Sequence, residues 1–315
     1  MLMGEVWFPN RVIFQTQKMI SGKTSLLAVI GDPVSHSLSP IMQNAALKAL
    51  DLDWCYLAIK CEKRYLKEII NALHIMSFKG INVTIPHKQE VIKFCNNLTE
   101  TATRLGSVNT LIPDESNGWI GHNTDLEGFK SPLIKNNWEN KTAIILGSGG
   151  SARAVLEGLI DLSFKKIVIV ARNKLSSKHL IDNHINLGIK DDGLVIDHYF
   201  PDDKNLQEII PNTHLIVNTT PVGMKSLNKS HLLPTAIPFG TNTWQNINTN
   251  TLMYDLIYNP NPTAFMQLMT DKGCKTINGM DMLVSQGAAS LRKWTNLNEI
   301  PLNIMKEALE KFNIK

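Results

Sequence analysis

Residues Thr142 to Ala154 read TAIILGSGGSARA, and this stretch decides the fold. Its first five residues, TAIIL, have the length and the apolar content of a buried strand. Gly147, Gly149 and Ala152 follow at the spacing G-x-G-x-x-A, and residues Ser151 to Leu162 have the pattern of a helix. A strand, a glycine-rich turn and a helix in this order let the backbone approach a pyrophosphate at the N-terminus of the helix. The stretch therefore predicts the first βαβ unit of a nucleotide-binding domain.

The end of the next strand indicates which dinucleotide binds. The predicted strand Lys166 to Ala171 is followed by Arg172, Asn173 and Lys174, and no acid stands there. An enzyme that uses NAD usually has Asp or Glu at this point to hold the ribose 2′-hydroxyl. A carboxylate would repel a 2′-phosphate, whereas Arg172 would attract it and can stack on adenine. We therefore expect NADP; a solvated surface arginine is the alternative.

The alternation of strands and helices extends to both sides of this unit. It predicts an α/β fold of two domains with mainly parallel strands, crossover helices and a cleft between the domains. We expect an appended tail at residues 1–23, a substrate-binding domain at residues 24–124 and a Rossmann-type NADP-binding domain at residues 125–280. The helices of residues 281–315 are expected to pack back on the substrate-binding domain and to belong to it. The predicted strands are Leu26 to Ile30, Cys55 to Ile59, Lys79 to Ile85, Val108 to Ile112, Trp119 to Gly121, Leu215 to Asn218 and Leu252 to Leu256. Helices are predicted after Ser39, over Arg64 to His74, through Val91 to Cys95, and as a linker near Asp125 to Asn140.

Composition excludes several other classes of protein. The hydrophobic share is 43%, the charged share 19% and the net charge +4, which are typical of a globular protein and not of a nucleic-acid binder. No apolar run is long enough to cross a membrane. The four cysteines form no C-x-x-C pair, and the nine histidines form no H-x-x-x-H or H-E-x-x-H pattern, so we expect no metal. We expect a cytoplasmic protein with reduced thiols; the sequence does not decide between a monomer and a homodimer.

Short polar motifs stand at the predicted strand ends and loops, where α/β folds place their ligand groups. They are GDPVSHSLSP (31–40), NVTIPHK (82–88), GSVNT (106–110), GHNTD (121–125), NTTPVGM (218–224), DLIYNPNPT (255–263) and GMDMLVSQG (279–287). In this order and spacing, from Leu26 to the C-terminal helices, they resemble the shikimate dehydrogenase family. The resemblance implies the reversible, NADPH-dependent reduction of 3-dehydroshikimate to shikimate in the biosynthesis of chorismate and the aromatic amino acids.

Lys88 and Asp125 resemble the catalytic pair of that family. Oxidation of an alcohol sends a hydride to the nicotinamide and leaves a proton to be removed. A lysine can carry that proton if desolvation lowers its pKa, but a neighbouring carboxylate would oppose the lowering. The sequence therefore leaves open which of the two is the formal base. Asp125 also has an alternative reading as the N-cap of the linker helix.

The resemblance also assigns the groups that bind the ligands. It implies that Ser37 and Ser39 bind the substrate carboxylate, with Tyr258 at the same end, and that ring hydroxyls are held by Asn82, Thr84, Asn109 and Gln286. It implies a cofactor site formed by Gly147, Ser148, Gly149, Gly150, Ser151, Ala152, Arg172, Asn173, Lys174, Asn218, Thr219, Met224, Leu256 and Gly279. The alternatives are that Ser39 is a plain N-cap and that the asparagines bond to loop backbone. His36 and His87 are read as local hydrogen-bonding residues.

The sequence departs from the family pattern in two places. Gln43 stands where many members have His, and Ser176 stands near the position of a second arginine at the 2′-phosphate loop. One side of the usual guanidinium clamp is therefore missing unless Lys174 or Lys178 replaces it. Three rivals remain: a quinate/shikimate dehydrogenase with relaxed substrate or NAD use, a non-catalytic nucleotide-sensing module, and a folate-linked Rossmann dehydrogenase.

Overall fold

The computed structural model describes residues 20–115, 118–186, 193–225 and 235–313. These residues form two six-stranded sheets, one from each of the two predicted α/β blocks. Residues 1–19 of the predicted tail lie outside the described residues. Within the described part of the chain, no helix combines the length and the apolar character that a membrane span needs.

The first sheet has the strand order β2-β1-β3-β5-β6-β4. Its strands are β1 (Ser25–Gly31), β2 (Trp54–Lys60), β3 (Gly80–Val83), β4 (Asn97–Leu98), β5 (Thr110–Asp114) and β6 (Gly118–His122). β1 is parallel to β2 and β3, whereas β5 is antiparallel to both of its neighbours. The helices of this block are α1 (Ser39–Ala49), α2 (Leu66–Ile75) and α3 (Glu100–Leu105). β1 is buried on both faces, because Leu27 and Val29 enter one core cluster and Ala28 and Ile30 the other.

The sequence predictions for this block fail at several element ends. Ser39 is not the N-cap of α1 but its first residue, because Leu38 occupies the cap position without a side-chain hydrogen bond. The helix expected through Val91 to Cys95 is a short 3-10 helix over Glu90–Phe94. α3 was not predicted, although its caps were visible: Thr99 accepts a hydrogen bond from the Ala102 N–H, and Gly106 ends the helix in the left-handed conformation.

The second sheet is entirely parallel, in the order β12-β11-β10-β7-β8-β9. Its strands are β7 (Thr142–Leu146), β8 (Lys166–Val170), β9 (Val195–Tyr199), β10 (Leu215–Asn218), β11 (Leu252–Asp255) and β12 (Lys275–Ile277). The helices are α4 (Asp125–Lys130), α5 (Gly150–Asp161), α6 (Lys174–Asn186), α7 (Leu206–Ile209) and α8 (Ala264–Asp271). The strand order reverses between β7 and β10, which is where open parallel sheets bind ligands. The predicted linker helix is shorter than expected and ends at Lys130.

The C-terminal helices α9 (Met280–Thr295) and α10 (Leu302–Asn313) pack on the first sheet. Val284 and Leu291 of α9 share a core cluster with Met42 of α1 and Met305 of α10. Trp294 lies over β3 and donates from its indole N–H to the Leu111 carbonyl at 3.0 Å. The domain boundaries themselves stay a prediction.

The contact between α9 and β3 leaves no room for a side chain at Gly80. A Cβ placed there would overlap the indole ring of Trp294. We expect Gly80→Ala to lower the free energy of unfolding by about 1–3 kcal/mol, because the ring has to move out of a packed core. Gly22→Ala is the matched control, since no atom lies within 4 Å of its Cβ position. Urea unfolding measures both variants, and equal midpoints for the two would contradict the described docking of α9.

Candidate active site

Lys88 and Asp125 form an ion pair at the junction of the two sheets. The Lys88 Nζ lies 2.7 Å from the Asp125 Oδ2, and the two side chains are 25% and 14% exposed. Lys88 follows the turn after β3, where its carbonyl accepts a hydrogen bond from the Val108 N–H at 2.7 Å. Asp125 is the first residue of α4, and its N–H donates to the Asn123 side chain. The backbone of both residues is therefore held in place, while both side chains stay partly exposed.

Asn109 fixes the second oxygen of the Asp125 carboxylate. Its Nδ2 donates to the Asp125 Oδ1 at 2.8 Å and to the Thr124 Oγ1 at 3.0 Å, and its Oδ1 accepts from the Thr124 N–H. Asp125 does not cap α4, because Thr124 stands at the cap position and makes no side-chain cap bond. Each oxygen of the carboxylate thus has its own partner, Lys88 at Oδ2 and Asn109 at Oδ1, and the two partners hold the carboxylate in one orientation.

A buried network of hydroxyl and amide groups continues from Asn109. The Asn82 Nδ2 donates to the Asn109 carbonyl, the Thr110 Oγ1 and the Ser290 Oγ at 3.0, 3.1 and 3.0 Å. The Asn82 Oδ1 accepts from the Tyr56 hydroxyl at 2.7 Å. The hydroxyls of Thr110, Thr124 and Ser290 lie within 3.4 Å of one another. All the members of this network except Asn82 are at most 3% exposed, and Asn82 is 7% exposed.

Sequence reasoning missed four members of this network: Tyr56, Thr110, Thr124 and Ser290. Thr110 and Thr124 end or nearly end two of the polar motifs, and Ser290 lies one helical turn after Gln286, on the same face of α9. From these positions in the sequence, Thr110, Thr124 and Ser290 could have been predicted as site residues. Nothing in the sequence marks Tyr56, which reaches Asn82 only because β2 and β3 flank β1.

The predicted carboxylate serines lie together at the start of α1. The Ser39 N–H donates to the Ser37 Oγ at 3.3 Å, and Ser39 is 9% exposed. Burial raises the pKa of Tyr56 well above its ordinary value, and a hydrogen bond from the Ser39 side chain lowers it in part. Through Tyr56 and Asn82 the serines are thus connected to Asn109 and the ion pair.

Three other predicted substrate residues stand apart from this network. The methyl of Thr84 fills the space beside Gly31. Gln286 donates to the Leu283 carbonyl at 2.8 Å, and Tyr258 packs against the core cluster of α1 and α9, where burial raises its pKa. Among the described residues, no hydrogen bond joins these three side chains to the Lys88–Asp125 pair.

The glycine-rich turn after β7 is open where a pyrophosphate would lie. Gly147 has φ +100°, and a Cβ there would lie 2.9 Å from the Thr219 Oγ1. No atom lies within 4 Å of the Cβ positions of Gly149 and Gly150, at the N-terminus of α5. Ser148 and Ser151 flank this space, and Ala152 is fully buried against the sheet. The turn therefore has the shape that backbone binding of a phosphate requires.

Ala171 after β8 is buried, whereas the next three residues, Arg172, Asn173 and Lys174, are exposed and include no acid. Arg172 and Lys174 extend into solvent, and the Asn173 Oδ1 accepts from the Ser176 N–H at 3.1 Å at the start of α6. Asn173 therefore has a structural role as the cap of that helix, in addition to any contact with a ligand.

The ends of β10 and β11 bring the other predicted cofactor residues together. The Thr219 hydroxyl donates to the Leu146 carbonyl at 2.7 Å, which joins the end of β10 to the end of β7. The Gly279 N–H donates to the Ile257 carbonyl, and a Cβ at Gly279 would overlap the Leu256 carbonyl oxygen. Met224 is 37% exposed at the same edge. Asn218 is buried and donates to the Asp255 Oδ1 at 3.0 Å, a partner that the sequence analysis did not single out.

The histidines of the polar motifs make local contacts or none. The His87 Nε2 lies 2.6 Å from the Cys61 carbonyl oxygen, and His36 is exposed. In the described ranges no group of three or more His, Cys, Asp or Glu side chains is arranged to hold a metal ion.

A lysine–carboxylate pair where two α/β lobes meet, in a chain that also has an open glycine-rich turn at a strand end, defines the class: a nicotinamide-dependent dehydrogenase of two lobes. Two sequence families match the chain, described as the shikimate dehydrogenase substrate binding domain, over residues 29–111, and the shikimate 5′-dehydrogenase C-terminal domain, over residues 279–310. A relative from Prochlorococcus marinus (strain MIT 9515), named shikimate dehydrogenase (NADP(+)), is 48% identical over 93% of this chain and 100% of the relative. The chain belongs to the shikimate dehydrogenase family, so the expected family is confirmed.

Further relatives and solved structures agree with this membership. A Synechocystis relative with the same name is 41% identical over 92% of this chain and 96% of the relative. A Listeria monocytogenes shikimate 5-dehydrogenase, solved with shikimate and NAD, superposes with a TM-score of 0.80 at 29% identity, over 93% of this chain and 99% of that one. The Thermus thermophilus enzyme, solved with NADP(H) and shikimate, has a TM-score of 0.76 at 29% identity, over 91% and 99%. The two-domain Rossmann-type fold is confirmed.

His122, in the same motif as Asp125, makes the stability of the fold depend on pH. Its Nδ1 lies 2.8 Å from the Thr99 Oγ1. Burial, with the charge of Lys293, lowers the pKa of His122 to about 4. The unfolded chain therefore binds a proton between pH 6.5 and 4 that the folded chain does not, and stability is lost as the pH falls through this window.

We expect His122→Gln to remove about 1–2 kcal/mol of the acid-induced loss of stability, with allowance for the partial exposure of the ring. Urea unfolding at pH 7.5 and pH 4.5 measures that loss. His36→Gln, at an exposed histidine, is the control and keeps the wild-type loss. An identical loss in wild type and His122→Gln would contradict the described environment of His122.

Proposed function

We propose that this chain catalyses the reversible, NADPH-dependent reduction of 3-dehydroshikimate to shikimate, a step of chorismate and aromatic amino-acid biosynthesis. The observation that carries the proposal is the Lys88–Asp125 ion pair at 2.7 Å, which faces the junction between the two lobes. Membership of the shikimate dehydrogenase family supports it, because the Prochlorococcus and Synechocystis relatives are named shikimate dehydrogenase (NADP(+)).

Lys88 handles the proton in this mechanism. When bound, NADPH supplies the hydride that the carbonyl carbon of the substrate accepts. The carbonyl oxygen then needs a proton, and the Lys88 ammonium provides it; in the oxidative direction the same nitrogen takes the proton from the hydroxyl. Asp125 orients one N–H of the ammonium through Oδ2, and Asn109 holds Oδ1. Because Lys88 is 25% exposed, it can exchange its proton with solvent between turnovers.

The substrate residues are assigned in the same proposal. Ser37 and Ser39 bind the carboxylate, with the N-terminus of α1 adding a favourable dipole. The ring hydroxyls contact Asn82, Thr84, Asn109 and Gln286, and Tyr258 lies at the carboxylate end. Asn82 uses both of its amide hydrogens within the protein, but its oxygen has a second lone pair besides the one that accepts from Tyr56. That lone pair is the part of Asn82 available to a ring hydroxyl.

The cofactor residues divide between two halves of NADP. The turn formed by Gly147, Ser148, Gly149, Gly150, Ser151 and Ala152 would hold the pyrophosphate, and Arg172, Asn173 and Lys174 would hold the adenosine 2′-phosphate. Asn218, Thr219, Met224, Leu256 and Gly279 would hold the ribose and nicotinamide half. The open space at Gly149 and Gly150, and the absence of an acid beside Arg172, fit this group.

One alternative shares the chemistry but not the specificity. A quinate/shikimate dehydrogenase with relaxed substrate or NAD use is favoured by the lack of a second arginine near Ser176. Steady-state rates with shikimate and quinate, each with NADP and NAD, distinguish the two activities at 340 nm. The retained Lys88–Asp125 pair disfavours a non-catalytic nucleotide sensor, and the paired serines disfavour a folate-linked enzyme.

The cell compartment and the assembly belong to the same proposal. We place the enzyme in the cytoplasm, because its four cysteines are free and a reducing compartment keeps them so. Its partners are the small acid and the dinucleotide, without nucleic acid or membrane. A homodimer is a hypothesis that light scattering tests.

Lys88→Ala tests the catalytic role. We expect kcat to fall by about 10²–10⁴-fold, the usual contribution of a general acid or base, while the Kd for NADPH changes little. Lys93→Ala is the matched control, because Lys93 is exposed and pairs with Glu90 on the surface. A Lys88→Ala enzyme with a near-normal kcat would refute the mechanism.

Arg172→Ala tests the choice of cofactor. We expect the KM for NADP to rise by about 10–100-fold, the effect of losing a hydrogen bond between charged groups, with the KM for NAD nearly unchanged. Arg64→Ala, at an exposed arginine paired with Glu62, should change neither constant. Equal changes in both KM values for Arg172→Ala would place the 2′-phosphate elsewhere.

A further inference from the structure

Asp255 is a fully buried carboxylate at the end of β11 for which neither the motifs nor the mechanism above supply a role. It is 0% exposed, and no ion pair of the described residues includes it. Its Oδ1 accepts from the Asn218 Nδ2 at 3.0 Å and from the Ile257 N–H at 3.1 Å, and its Oδ2 accepts from the Thr263 hydroxyl at 2.6 Å. Burial raises the pKa of Asp255 to about 6, against these three hydrogen bonds, which lower it. A buried charge without a counter-ion lowers the stability of the fold, so its presence here indicates a role in organising the groups around it.

In their hydrogen bonds to Asp255, all three partners act as donors. The Thr263 Oγ1 already accepts from the Met266 N–H at the start of α8, so its own proton is free to go to Asp255. The Asn218 Oδ1 accepts from the N–H and the hydroxyl of Thr220, at 3.0 and 2.7 Å, which turns the Asn218 Nδ2 toward Asp255. The Ile257 backbone N–H can only donate. The site therefore needs an acceptor at both oxygens, which an ionised carboxylate provides and a neutral amide does not.

These bonds join the loops that follow β10 and β11. The first loop carries Thr219 and Met224, and the second carries Leu256 and leads to Thr263. The Lys225 N–H donates to the Asn259 carbonyl between the same two loops, and Gly279 is tied to the second loop through Ile257. The residues proposed for the ribose and nicotinamide half of the cofactor thus share one anchor.

Among the described residues, no hydrogen bond joins Asp255 directly to the adenosine half, and the connection runs through Thr219, whose hydroxyl donates to the Leu146 carbonyl before the glycine-rich turn. Arg172 follows β8, and β8 lies on the other side of β7 from β10 and β11. The turn at Gly149 follows β7 itself. Loss of the Asp255 carboxylate should therefore displace the nicotinamide half of the dinucleotide site more than the adenosine half.

We propose that Asp255 is a positioning residue for the nicotinamide half of the cofactor, acting through Asn218 and the backbone of Leu256 and Ile257. The proposal rests on the proposed function, because it takes the two loops as the nicotinamide side of an NADP site. Asp255 touches neither cofactor nor substrate; it fixes the loops that do.

The test compares two ligands on the Asp255→Asn variant. Adenosine 2′,5′-bisphosphate occupies only the adenosine half, whereas NADP⁺ occupies both. We expect the Kd for NADP⁺ to rise by about tenfold and kcat to fall by about 10²-fold, because displaced positioning groups misalign the reacting atoms. The Kd for adenosine 2′,5′-bisphosphate should stay within about twofold. Calorimetric titration measures both constants.

Thr251→Val is the matched control. Thr251 is 1% exposed, immediately precedes β11 at its opposite end, and donates from its hydroxyl to the Thr213 carbonyl at 2.7 Å. Its loss removes a buried hydrogen bond from the same region without approaching the cofactor edge. We expect this variant to lose stability in urea and to bind both ligands as the wild type does.

Two results would overturn the proposal: an Asp255→Asn enzyme with the wild-type Kd for NADP⁺, or one that loses both ligands by the same factor. If Asp255→Asn does not fold, Thr263→Val removes one of the three donors and should shift the Kd for NADP⁺ alone, in the same direction. The comparison of the two Kd values uses no substrate, unlike the measurement of kcat, so it gives its result even if the wild type fails to oxidise shikimate. Failure of the proposed function and failure of this inference are therefore separate outcomes.

Discussion

The bond between Asn109 and the Asp125 carboxylate is the contact on which the arrangement of the site depends. It leaves one carboxylate oxygen of Asp125 for Lys88, and it keeps the carboxylate from turning toward the N-terminal N–H groups of α4. Asp125 begins α4, and α4 packs against both lobes: Phe129 stacks on Tyr254 of the second sheet at 5.5 Å, and Gly128 lies against Gln286 of α9. The Lys88–Asp125 pair therefore lies at the helix that contacts both lobes.

Ion pairs surround the same junction. Arg104 of α3 contacts Glu157 and Asp161 of α5 at 2.9 and 2.6 Å, and Lys130 at the end of α4 contacts Asp161 at 2.6 Å. These pairs join a helix of the first lobe, the connecting helix and the helix that begins at the glycine-rich turn. Partly exposed ion pairs contribute little to stability, about 0–1 kcal/mol each. They connect the C-terminal half of α5 to α3 and α4.

The parts of this molecule that could be predicted from sequence are those encoded locally. At Thr142 to Ala154 the strand propensity, the conformational freedom of glycine and the helix pattern all predict the same structure. The edge strands β9 and β12 were missed because half-exposed strands lack a long apolar run. The hydroxyl network could not be predicted as a unit, because Tyr56, Asn82 and Ser290 meet only through strand order and the return of α9. The N-cap at Ser39 was wrong by one residue, a difference set by the turn before the helix rather than by the serine itself.

The two buried polar clusters, one in each lobe, are ordered by different means. In the first lobe each hydroxyl of Thr110, Thr124 and Ser290 donates to an acceptor outside the trio. Thr110 and Thr124 donate to the Asn109 Oδ1 at 2.8 and 3.2 Å, and Ser290 donates to the Gln286 carbonyl at 3.1 Å. In the second lobe all three partners of Asp255 are fixed donors to a charge, and the cluster has one arrangement only. The acceptors of the first cluster are neutral amide and carbonyl oxygens, whereas the acceptor of the second is a carboxylate. Both clusters therefore have their donors and acceptors paired within the protein, and a group held in this way keeps its orientation, which is what the alignment of reacting groups requires.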